Sequence, residues 1–268
     1  MTRKGVERIS PLGRTAGGGW PPPVPTPHED NVDPIGKLAH PHSVKEARQI
    51  QREVGSLAIL EDRFPRFPPQ LVAGADAAYS RDGTRIHGAV AVLRYPELSP
   101  VEVQCAERPA EFPYVPGLFA FREGPVLRDA WTQLRTRPDL VIFHGHGTLH
   151  PEGCGLATHM GVLLDVPAIG VAGRPIGTEA VIPGPLRGDT APVHVGERIA
   201  GCAVRTRAGA REVYVSPGHR ISLETAVGIV LATATRYRMP EPLRAAHRHA
   251  VECRAMREKT GKSWKKSS

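Results

Sequence analysis

Several features that mark common protein classes are missing from this sequence. No apolar run approaches the roughly 18 to 20 residues of a membrane-spanning helix, and the N-terminal stretch lacks the apolar centre of a signal peptide. No internal repeat is found. With 268 residues, of which 40% are hydrophobic, the chain is long enough to bury a full core. We therefore expect one main globular domain in the cytoplasm, without a membrane partner.

Cysteine is rare, and no two of the four cysteines form a CxxC pair. They are Cys105, Cys154, Cys202 and Cys253. Their wide spacing excludes a zinc ribbon and gives no indication of a disulfide framework. We expect reduced and mostly buried thiols.

The net charge of +8 comes mostly from the C-terminus. Residues 254–268 hold six Lys or Arg against one acidic residue, whereas residues 41–253 hold 24 against 22. A basic tail attracts any polyanion, including nucleic acid, and a merely solvated terminus has the same composition. Residues 1–40 are rich in Gly and Pro, which predicts a disordered leader. The predicted domain spans residues 41–253.

Hydrophobic periodicity predicts the order of helices and strands. A helix is expected from Ser43, an N-cap residue followed by apolar residues at helical spacing. Three strand-like runs with short connections then favour an antiparallel meander. Helix, strand, helix and strand follow, then a further strand and two helices, the first beginning at or just after His219. The sequence thus predicts an α/β protein in which a mixed sheet, three antiparallel strands followed by parallel strands, is flanked by helices.

Two carboxylates stand at positions that suit a catalytic role. Asp76 interrupts the apolar strand LVAGADAAY, and an unpaired carboxylate buried there costs several kcal/mol. Either a positive group faces it, or local amides satisfy it. Glu123 opens a predicted helix, where it also complements the helix dipole. Both residues therefore have a structural as well as a catalytic interpretation.

Two histidines lie at predicted strand ends. His144 follows the strand DLVIF at its C-terminal end, where open α/β sheets place their ligands. His219 precedes a predicted helix start, which favours a neutral imidazole that serves as ligand or base. Two carboxylates and two imidazoles at sheet ends are compatible with a hydrolytic metal centre, but their spacing alone does not establish one.

Four stretches carry a family resemblance: AGADAAY, PYVPGLFAFRE, DLVIFHGHGTLHPEGCGLATHMGVLLDVPAIGVA and GHRIS. From about Glu46 to about Arg244 the chain resembles endonuclease V, the repair nuclease for deaminated purines. The resemblance implies an RNase H-like sheet. It also implies that Asp76, Glu123 and His144 hold a divalent metal, Mg²⁺ or Mn²⁺, and that His219 is the catalytic histidine.

The expected activity follows from that resemblance. Family members hydrolyse the second phosphodiester bond 3′ to the lesion, so the chain is expected to be a metal-dependent endodeoxyribonuclease of DNA repair. Its partner is then single- or double-stranded DNA that contains a deaminated purine such as deoxyinosine. A monomer suits this task.

The resemblance further implies two surfaces for the substrate. A wedge that separates the strands falls on Pro113, Tyr114, Val115 and Pro116, because inserted rings replace the stacking of an extruded base. Without the resemblance these four residues indicate a rigid loop. The implied base pocket is lined by Gly117, Phe119, Gly145, His150, Gly155 and Leu156. Glycines allow peptide groups to approach the edge of a purine closely.

The chain departs from the family at two positions. His144 stands where the family has an aspartate, and an imidazole offers one neutral nitrogen in place of an anionic oxygen. Affinity for Mg²⁺ should fall, whereas Mn²⁺, Co²⁺ or Zn²⁺ is penalised less. Gly173 replaces a lysine beside the reacting phosphate. The adjacent Arg174 carries charge, but neighbouring side chains on a strand point to opposite faces.

Three functional hypotheses remain open at this point. The first is a nuclease for DNA with deaminated purines, its activity weakened by His144 and Gly173. The second is a catalytically impaired protein that binds inosine or nucleic acid. The third is a nuclease that acts on inosine-containing RNA.

Overall fold

A computed structural model describes residues 41–260 of the chain. Its helices and strands are, in chain order, α1 (Val44–Ser56), β1 (Leu71–Tyr79), β2 (Arg85–Arg94), β3 (Pro100–Pro109), α2 (Phe119–Thr132), β4 (Leu140–His144), α3 (Leu156–Leu164), β5 (Ala168–Ala172), β6 (Thr190–Val195), β7 (Arg198–Val204), β8 (Val213–His219), α4 (Leu223–Thr233) and α5 (Glu241–Thr260).

The strands of this described part form one sheet in the order β3-β2-β1-β4-β5-β8-β7-β6. Strands β1, β2 and β3 are antiparallel, and β4 and β5 run parallel to β1. Strand β8 returns antiparallel to β5, and β7 and β6 continue in the same alternating way. The predicted mixed sheet flanked by helices, of the RNase H-like class, is confirmed.

Strands β6 and β7 extend the sheet beyond the prediction. Strand β6 lies at the sheet edge, is largely accessible to solvent and contains Pro192. Strand β7 begins with the exposed residues Arg198 and Ile199. The short, half-exposed edge strand β6 lacks the continuous apolar run that identifies a buried strand, and proline is tolerated there because one side of the strand is unpaired.

Alternation along β1 assigns its residues to two layers. Ala73 and Ala75 pack in the core formed with α2 and α3. Val72 packs on the opposite face, in the core that includes Leu243 of α5. Because successive side chains on a strand point to opposite faces, the even-numbered positions of β1 face α5. Asp76 is thereby directed to the α5 side of the sheet.

Serine caps set the start of two helices. The helix predicted from Ser43 is confirmed as α1, and the Ser43 hydroxyl accepts the backbone N–H of Glu46 at 3.1 Å. Helix α4 begins at Leu223, after the N-cap Ser222, whose hydroxyl accepts a backbone N–H of the first turn. The predicted helix start near His219 is wrong, because this residue ends β8.

The cysteines behave in two ways. Cys105 of β3 and Cys253 of α5 are joined in a disulfide, although 148 residues separate them in sequence. Cys154 and Cys202 are free and buried, and burial raises the pKa of the Cys154 thiol to about 12. The expectation of reduced thiols is therefore wrong for the first pair, because α5 folds back across the antiparallel strands and brings distant residues together.

The ends of the described region limit what is known of the predicted domain boundaries. Helix α5 continues to Thr260, so the first residues of the expected basic tail, from position 254, are helical. The predicted leader, residues 1–40, and residues 261–268 lie outside the described residues, and the domain division stays a prediction. Within residues 41–260, no helix is both long enough and apolar enough to cross a membrane.

Helix α5 approaches strand β1 very closely at Gly74. A Cβ atom at this glycine would stand 2.1 Å from the carbonyl oxygen of Pro242 and 2.6 Å from the backbone nitrogen of Leu243. Both contacts are with backbone atoms, which do not move aside as a flexible side chain does. A residue without a side chain at position 74 is therefore what allows α5 to lie on the sheet.

Replacing Gly74 by alanine should destabilise the fold. We expect Gly74→Ala to lower the free energy of unfolding by about 1–3 kcal/mol or more, because the added methyl group pushes α5 from the sheet. Urea unfolding followed by circular dichroism measures the change. Gly228→Ala is the matched control, since a Cβ at Gly228 of α4 meets no atom within 4 Å. That variant should be neutral or more stable by roughly 0.5–1 kcal/mol; similar losses in both would contradict the argument.

Candidate active site

Sheet topology brings Asp76 and His144 to the same edge of the sheet. Strands β1 and β4 are parallel, and their last paired residues are Ala75 and Phe143, so Asp76 and His144 are the next residues on each strand. Asp76 is only 6% exposed. Its Oδ1 atom lies 3.0 Å from Nδ1 of His144 and accepts the backbone N–H of Ala77 at 2.9 Å. The buried carboxylate thus has both an imidazole and a local amide as partners.

A second imidazole, from His247 of α5, completes the environment of Asp76. Its Nδ1 atom lies 2.7 Å from Oδ2 of the carboxylate. Sequence reasoning missed this residue, although a signal was present. Leu243 and Ala250 are buried inward-facing positions of α5, and His247 lies one helical turn from each. A histidine one turn from two inward-facing residues was the indication that α5 contributes to the site, although the His247 side chain is itself largely exposed.

Glu123 of α2 lies at the same site, where its carboxylate accepts a hydrogen bond from the Tyr79 hydroxyl at 2.8 Å. Burial raises the pKa of Glu123 to about 7, and the negative charge of Asp76 adds to this rise. The guanidinium of Arg122 lies over the Tyr79 ring, 5.0 Å from its centre, in a cation–π contact. A carboxyl with this pKa gains and loses a proton near neutral pH, as a general acid or base requires. Its location inside α2, not at the helix start, removes the structural interpretation as a dipole partner.

The same two carboxylates, Asp76 and Glu123, also affect the pKa of His144. The hydrogen bond that Asp76 accepts raises the pKa of His144, although burial opposes the rise. The hydrogen bond to Asp76 therefore favours the protonated form of the His144 imidazole.

A cavity of about 250 Å³ adjoins these side chains. All six residues predicted for the base pocket line it, together with Asp76, Glu123 and His144. The six are Gly117, Phe119, Gly145, His150, Gly155 and Leu156. Also lining the cavity, and not predicted, are His146 and Ile176. The structure thus brings the predicted pocket and the predicted catalytic carboxylates to one place.

Glycine and histidine shape one wall of this cavity. Gly117 has φ +85°, a conformation that favours glycine, and its carbonyl oxygen lies 2.9 Å from Nε2 of His150. Burial lowers the pKa of His150 to about 4, so the neutral ring donates Nε2–H to this carbonyl. A Cβ at Gly155 would stand 2.3 Å from the carbonyl oxygen of His146. The wall therefore requires these glycines for its close backbone packing.

The predicted wedge lies beside the cavity. Residues Pro113, Tyr114, Val115 and Pro116 form the loop between β3 and α2. Tyr114 is 66% exposed, and its ring stands edge-on to the ring of Phe119, with centroids 5.4 Å apart. Because Phe119 lines the cavity, Tyr114 stands close to the cavity and its ring is free to contact a ligand.

His219 does not join the site, so its predicted place there is wrong. Strand β8 runs antiparallel to β5, and His219 pairs with Ala168 at the start of β5, whereas His144 pairs with Val171 near its end. The two histidines therefore lie at opposite edges of the sheet. Nδ1 of His219 accepts the backbone N–H of Ile59 at 3.2 Å, and burial lowers the pKa of the ring. A structural role explains these contacts.

The donor chemistry of the site suits a divalent metal. Asp76 and Glu123 offer carboxylate oxygens, and His144 and His247 offer imidazole nitrogens, a mixture that Mn²⁺, Co²⁺ or Zn²⁺ accepts more readily than Mg²⁺. In the described arrangement these side chains bond to each other and to Tyr79, and residues 41–260 contain no group of three or more such side chains set to hold an ion. A metal would have to replace some of these hydrogen bonds.

The sheet is RNase H-like, and a cavity lined by carboxylates and imidazoles lies at the carboxyl ends of its parallel strands. These two features together indicate the class of protein, a nuclease of the RNase H-like fold. The sequence model of the Endonuclease V family matches residues 52–248, well over half of the chain. The chain belongs to the endonuclease V family, and the resemblance noted from its motifs is confirmed.

Individual relatives agree with this assignment. Endonuclease V of Roseiflexus sp. (strain RS-1) is 46% identical over 206 residues, which cover 77% of this chain and 91% of the relative. The crystal structure of endonuclease V from Streptomyces avermitilis is 39% identical, with a TM-score of 0.76 over 82% of this chain and 96% of that one. Ciona intestinalis endonuclease V, solved with a 24mer DNA containing an inosine followed by a ribo-adenosine, is 26% identical, with a TM-score of 0.69 over 78% and 96%.

The raised pKa of Glu123 should appear in the stability of the protein. Because the folded-state pKa of about 7 exceeds the ordinary value of 4.5, the folded protein loses stability as the pH rises from about 4.5 to about 7. Glu123→Gln removes this titration. In EDTA, we expect its free energy of unfolding relative to wild type to increase between about pH 5 and about pH 8.

Tyr79→Phe serves as the comparison variant, because it removes the hydrogen bond that lowers the pKa of Glu123. It should move the loss of stability to higher pH. Urea unfolding at several pH values gives both results, and a constant difference between Glu123→Gln and wild type would contradict the assignment.

Proposed function

We propose that this protein is an endonuclease V-like repair nuclease that hydrolyses a phosphodiester bond on the 3′ side of deaminated purines, chiefly deoxyinosine, in DNA. The observation that carries the proposal is the joining of three features in one place. A cavity lined by glycines, a cluster of two carboxylates and two histidines, and an exposed ring on a proline-flanked loop adjoin each other. The Ciona relative, solved with inosine-containing DNA, supports the choice of lesion.

The cavity is proposed to receive the extruded base. Its walls present peptide groups at Gly117, Gly145 and Gly155, so hypoxanthine is read by backbone donors and acceptors. His150 holds the Gly117 carbonyl and thereby fixes one of these groups in position. Tyr114 is proposed to replace the stacking of the base that has left the duplex, with Pro113, Val115 and Pro116 keeping its loop rigid.

The proposed reaction takes place beside this pocket. The family is metal-dependent, and in this chain Asp76, His144 and Glu123 would hold the divalent ion, which supplies a water of lowered pKa and polarises the phosphate. The chain's own residues do the rest. Glu123 holds or releases a proton near neutral pH at the carboxylate bonded to Tyr79, and His247 orients Asp76. His144 is proposed to favour Mn²⁺ over Mg²⁺.

The same proposal includes the setting in which the protein acts. DNA is the proposed partner, a monomer is the proposed state, and the cytoplasm is the proposed location. Inosine-containing RNA is the alternative substrate, and it is tested with matched strands.

A catalytically impaired binding protein is the second candidate function, and one observation favours it. Asp76 already has hydrogen bonds from His144 and His247 on its two oxygens. The hydrogen bond from the imidazole at position 144 competes with a metal ion for the same carboxylate. If this competition dominates, the wedge and pocket retain inosine while hydrolysis is lost.

Cleavage of a single-inosine oligonucleotide, as duplex and as single strand, tests the proposal. We expect wild type to cut faster with Mn²⁺ than with Mg²⁺, Asp76→Ala to abolish cutting, and His144→Asp to raise the Mg²⁺ rate about tenfold or more, because it restores an anionic oxygen. Asp165→Asn is the control, since that carboxylate contacts His219 at the opposite edge and its loss should leave the rate unchanged.

The outcomes separate the candidates. If His144→Asp cuts and wild type is inert, the result supports the impaired binding protein. If neither wild type nor His144→Asp cuts with any metal, the result contradicts the nuclease proposal. Faster cutting of the matched RNA strand supports the alternative substrate.

The wedge predicts a separate effect on lesion preference. Tyr114→Ala should reduce the preference for inosine-containing over unmodified duplex, by about tenfold, because one base–aromatic stacking contact is lost. Tyr114→Phe keeps the ring and should behave as wild type. Fluorescence anisotropy in EDTA measures both affinities, so the result does not depend on turnover. Equal preferences in the alanine variant and wild type would remove Tyr114 from the wedge.

A further inference from the structure

One guanidinium reaches the active-site edge from a loop that the family motifs do not include. Strand β5 ends at Ala172, and Gly173 follows it at the same sheet edge as His144. A Cβ at Gly173 would stand 3.4 Å from Nη2 of Arg238, so this arginine extends over the space that a side chain at position 173 would occupy.

Backbone contacts hold Arg238 in this position. Its Nη1 atom donates to the carbonyl oxygen of Glu212 at 3.0 Å, next to the start of β8. Its own carbonyl oxygen accepts the Thr206 hydroxyl at 2.7 Å. The first contact holds the side chain and the second holds the backbone of Arg238, and Nη2 lies beside Gly173.

No acidic side chain in the described part of the sequence neutralises the charge of Arg238. Within residues 41–260, no carboxylate lies within ion-pair distance of it, whereas many other arginines of the chain have such a partner. Gly173, which Nη2 of Arg238 approaches, lies at the same end of the sheet as His144. The guanidinium is therefore close to the reacting groups and has capacity for an anion.

We infer that Arg238 binds a phosphate of the nucleic-acid backbone beside the bond that is hydrolysed. The inference rests on the proposed function. A guanidinium held by one carbonyl, unpaired with a carboxylate and half-buried at the carboxyl edge of the sheet, offers two parallel N–H groups that match a phosphate. Gly173 leaves the space beside Nη2 open, because even a Cβ atom at this position would already be in van der Waals contact with the guanidinium.

Arg174, the charge expected from the sequence, does not take this role. Its side chain is exposed and lies beyond the end of β5, and only its carbonyl oxygen contacts the site, at 2.8 Å from Nε2 of His146. Arg238 is separated from Gly173 by 65 positions in sequence, so no local motif indicates that its charge serves this edge.

Binding of a single-inosine strand in EDTA tests the inference without turnover. Arg238→Gln should weaken binding about ten- to hundredfold, the loss expected for a charge-assisted hydrogen-bonded pair. Arg63→Gln is the matched control, because Arg63 is an exposed arginine bonded through its backbone to Arg220, next to His219 at the opposite edge.

A set of strands, each with one phosphate replaced by a neutral methylphosphonate, locates the contact. Wild type and Arg63→Gln should lose affinity strongly at one phosphate next to the lesion. Arg238→Gln should lose nothing further at that phosphate, because its partner is already absent.

The double variant Arg238→Gln with Gly173→Lys separates charge from structure. The 3.4 Å contact at Gly173 is with Arg238 itself, so shortening that side chain leaves room for lysine. A phosphate-binding role predicts recovery of affinity and of the methylphosphonate effect. A loss that lysine does not restore, accompanied by a lower thermal midpoint, would overturn the inference, as would wild-type affinity in Arg238→Gln.

Failure of the proposed function has a different signature. If wild type binds inosine-containing and plain strands alike, the repair function fails. The role of Arg238 is then tested by affinity for the plain strand. Equal affinity of wild type and Arg238→Gln overturns the inference, whereas a loss of affinity that Gly173→Lys restores supports it.

Discussion

The buried carboxylate of Asp76 is the constraint on which the site depends. A charge at this depth requires partners, and it obtains them from three separate parts of the chain. Its own strand supplies the Ala77 amide, β4 supplies His144 and α5 supplies His247. The relative positions of β1, β4 and α5 are therefore fixed by one electrostatic requirement as well as by packing.

The same requirement explains why α5 lies so close to the sheet. His247 reaches Asp76 only if the helix sits directly on β1, and the absent side chain of Gly74 permits this. The disulfide between Cys105 and Cys253 ties the following turns of α5 to β3. Three different interactions, a hydrogen bond, a backbone contact and a covalent link, thus hold one helix at one distance from the sheet.

Much of this arrangement could be predicted from sequence, for identifiable reasons. The continuous apolar runs of β1, β4 and β5 marked buried strands, and parallel pairing then brought Asp76 and His144 to one edge. The motifs identified the pocket, since its glycines are held by local backbone packing. His219 was misassigned because the sequence places it at the end of a strand but does not give the direction of that strand. Since β8 runs antiparallel to β5, its last residue lies at the edge of the sheet opposite to His144.

Other features could not be predicted because they depend on long-range packing. His247 and Arg238 lie outside the four stretches that carry the family resemblance and reach the site through the path of the loop and helix after α4. The pairing of Cys105 with Cys253 and the addition of β7 and β6 to the sheet likewise follow from how the chain returns across the sheet. Local sequence patterns indicate which helix or strand forms, but not which distant part of the chain packs against it.

The imidazole of His144, which is hydrogen-bonded to Asp76, affects how metal and nucleic acid bind relative to each other. An imidazole in place of a carboxylate removes one negative charge from the site, while Arg238 adds a positive one nearby, so a free dication is attracted weakly and a polyanion strongly. A bound phosphate would restore the missing negative charge. Nucleic acid and metal should therefore bind cooperatively, each strengthening the other by the same factor, so that the site becomes complete only on its substrate.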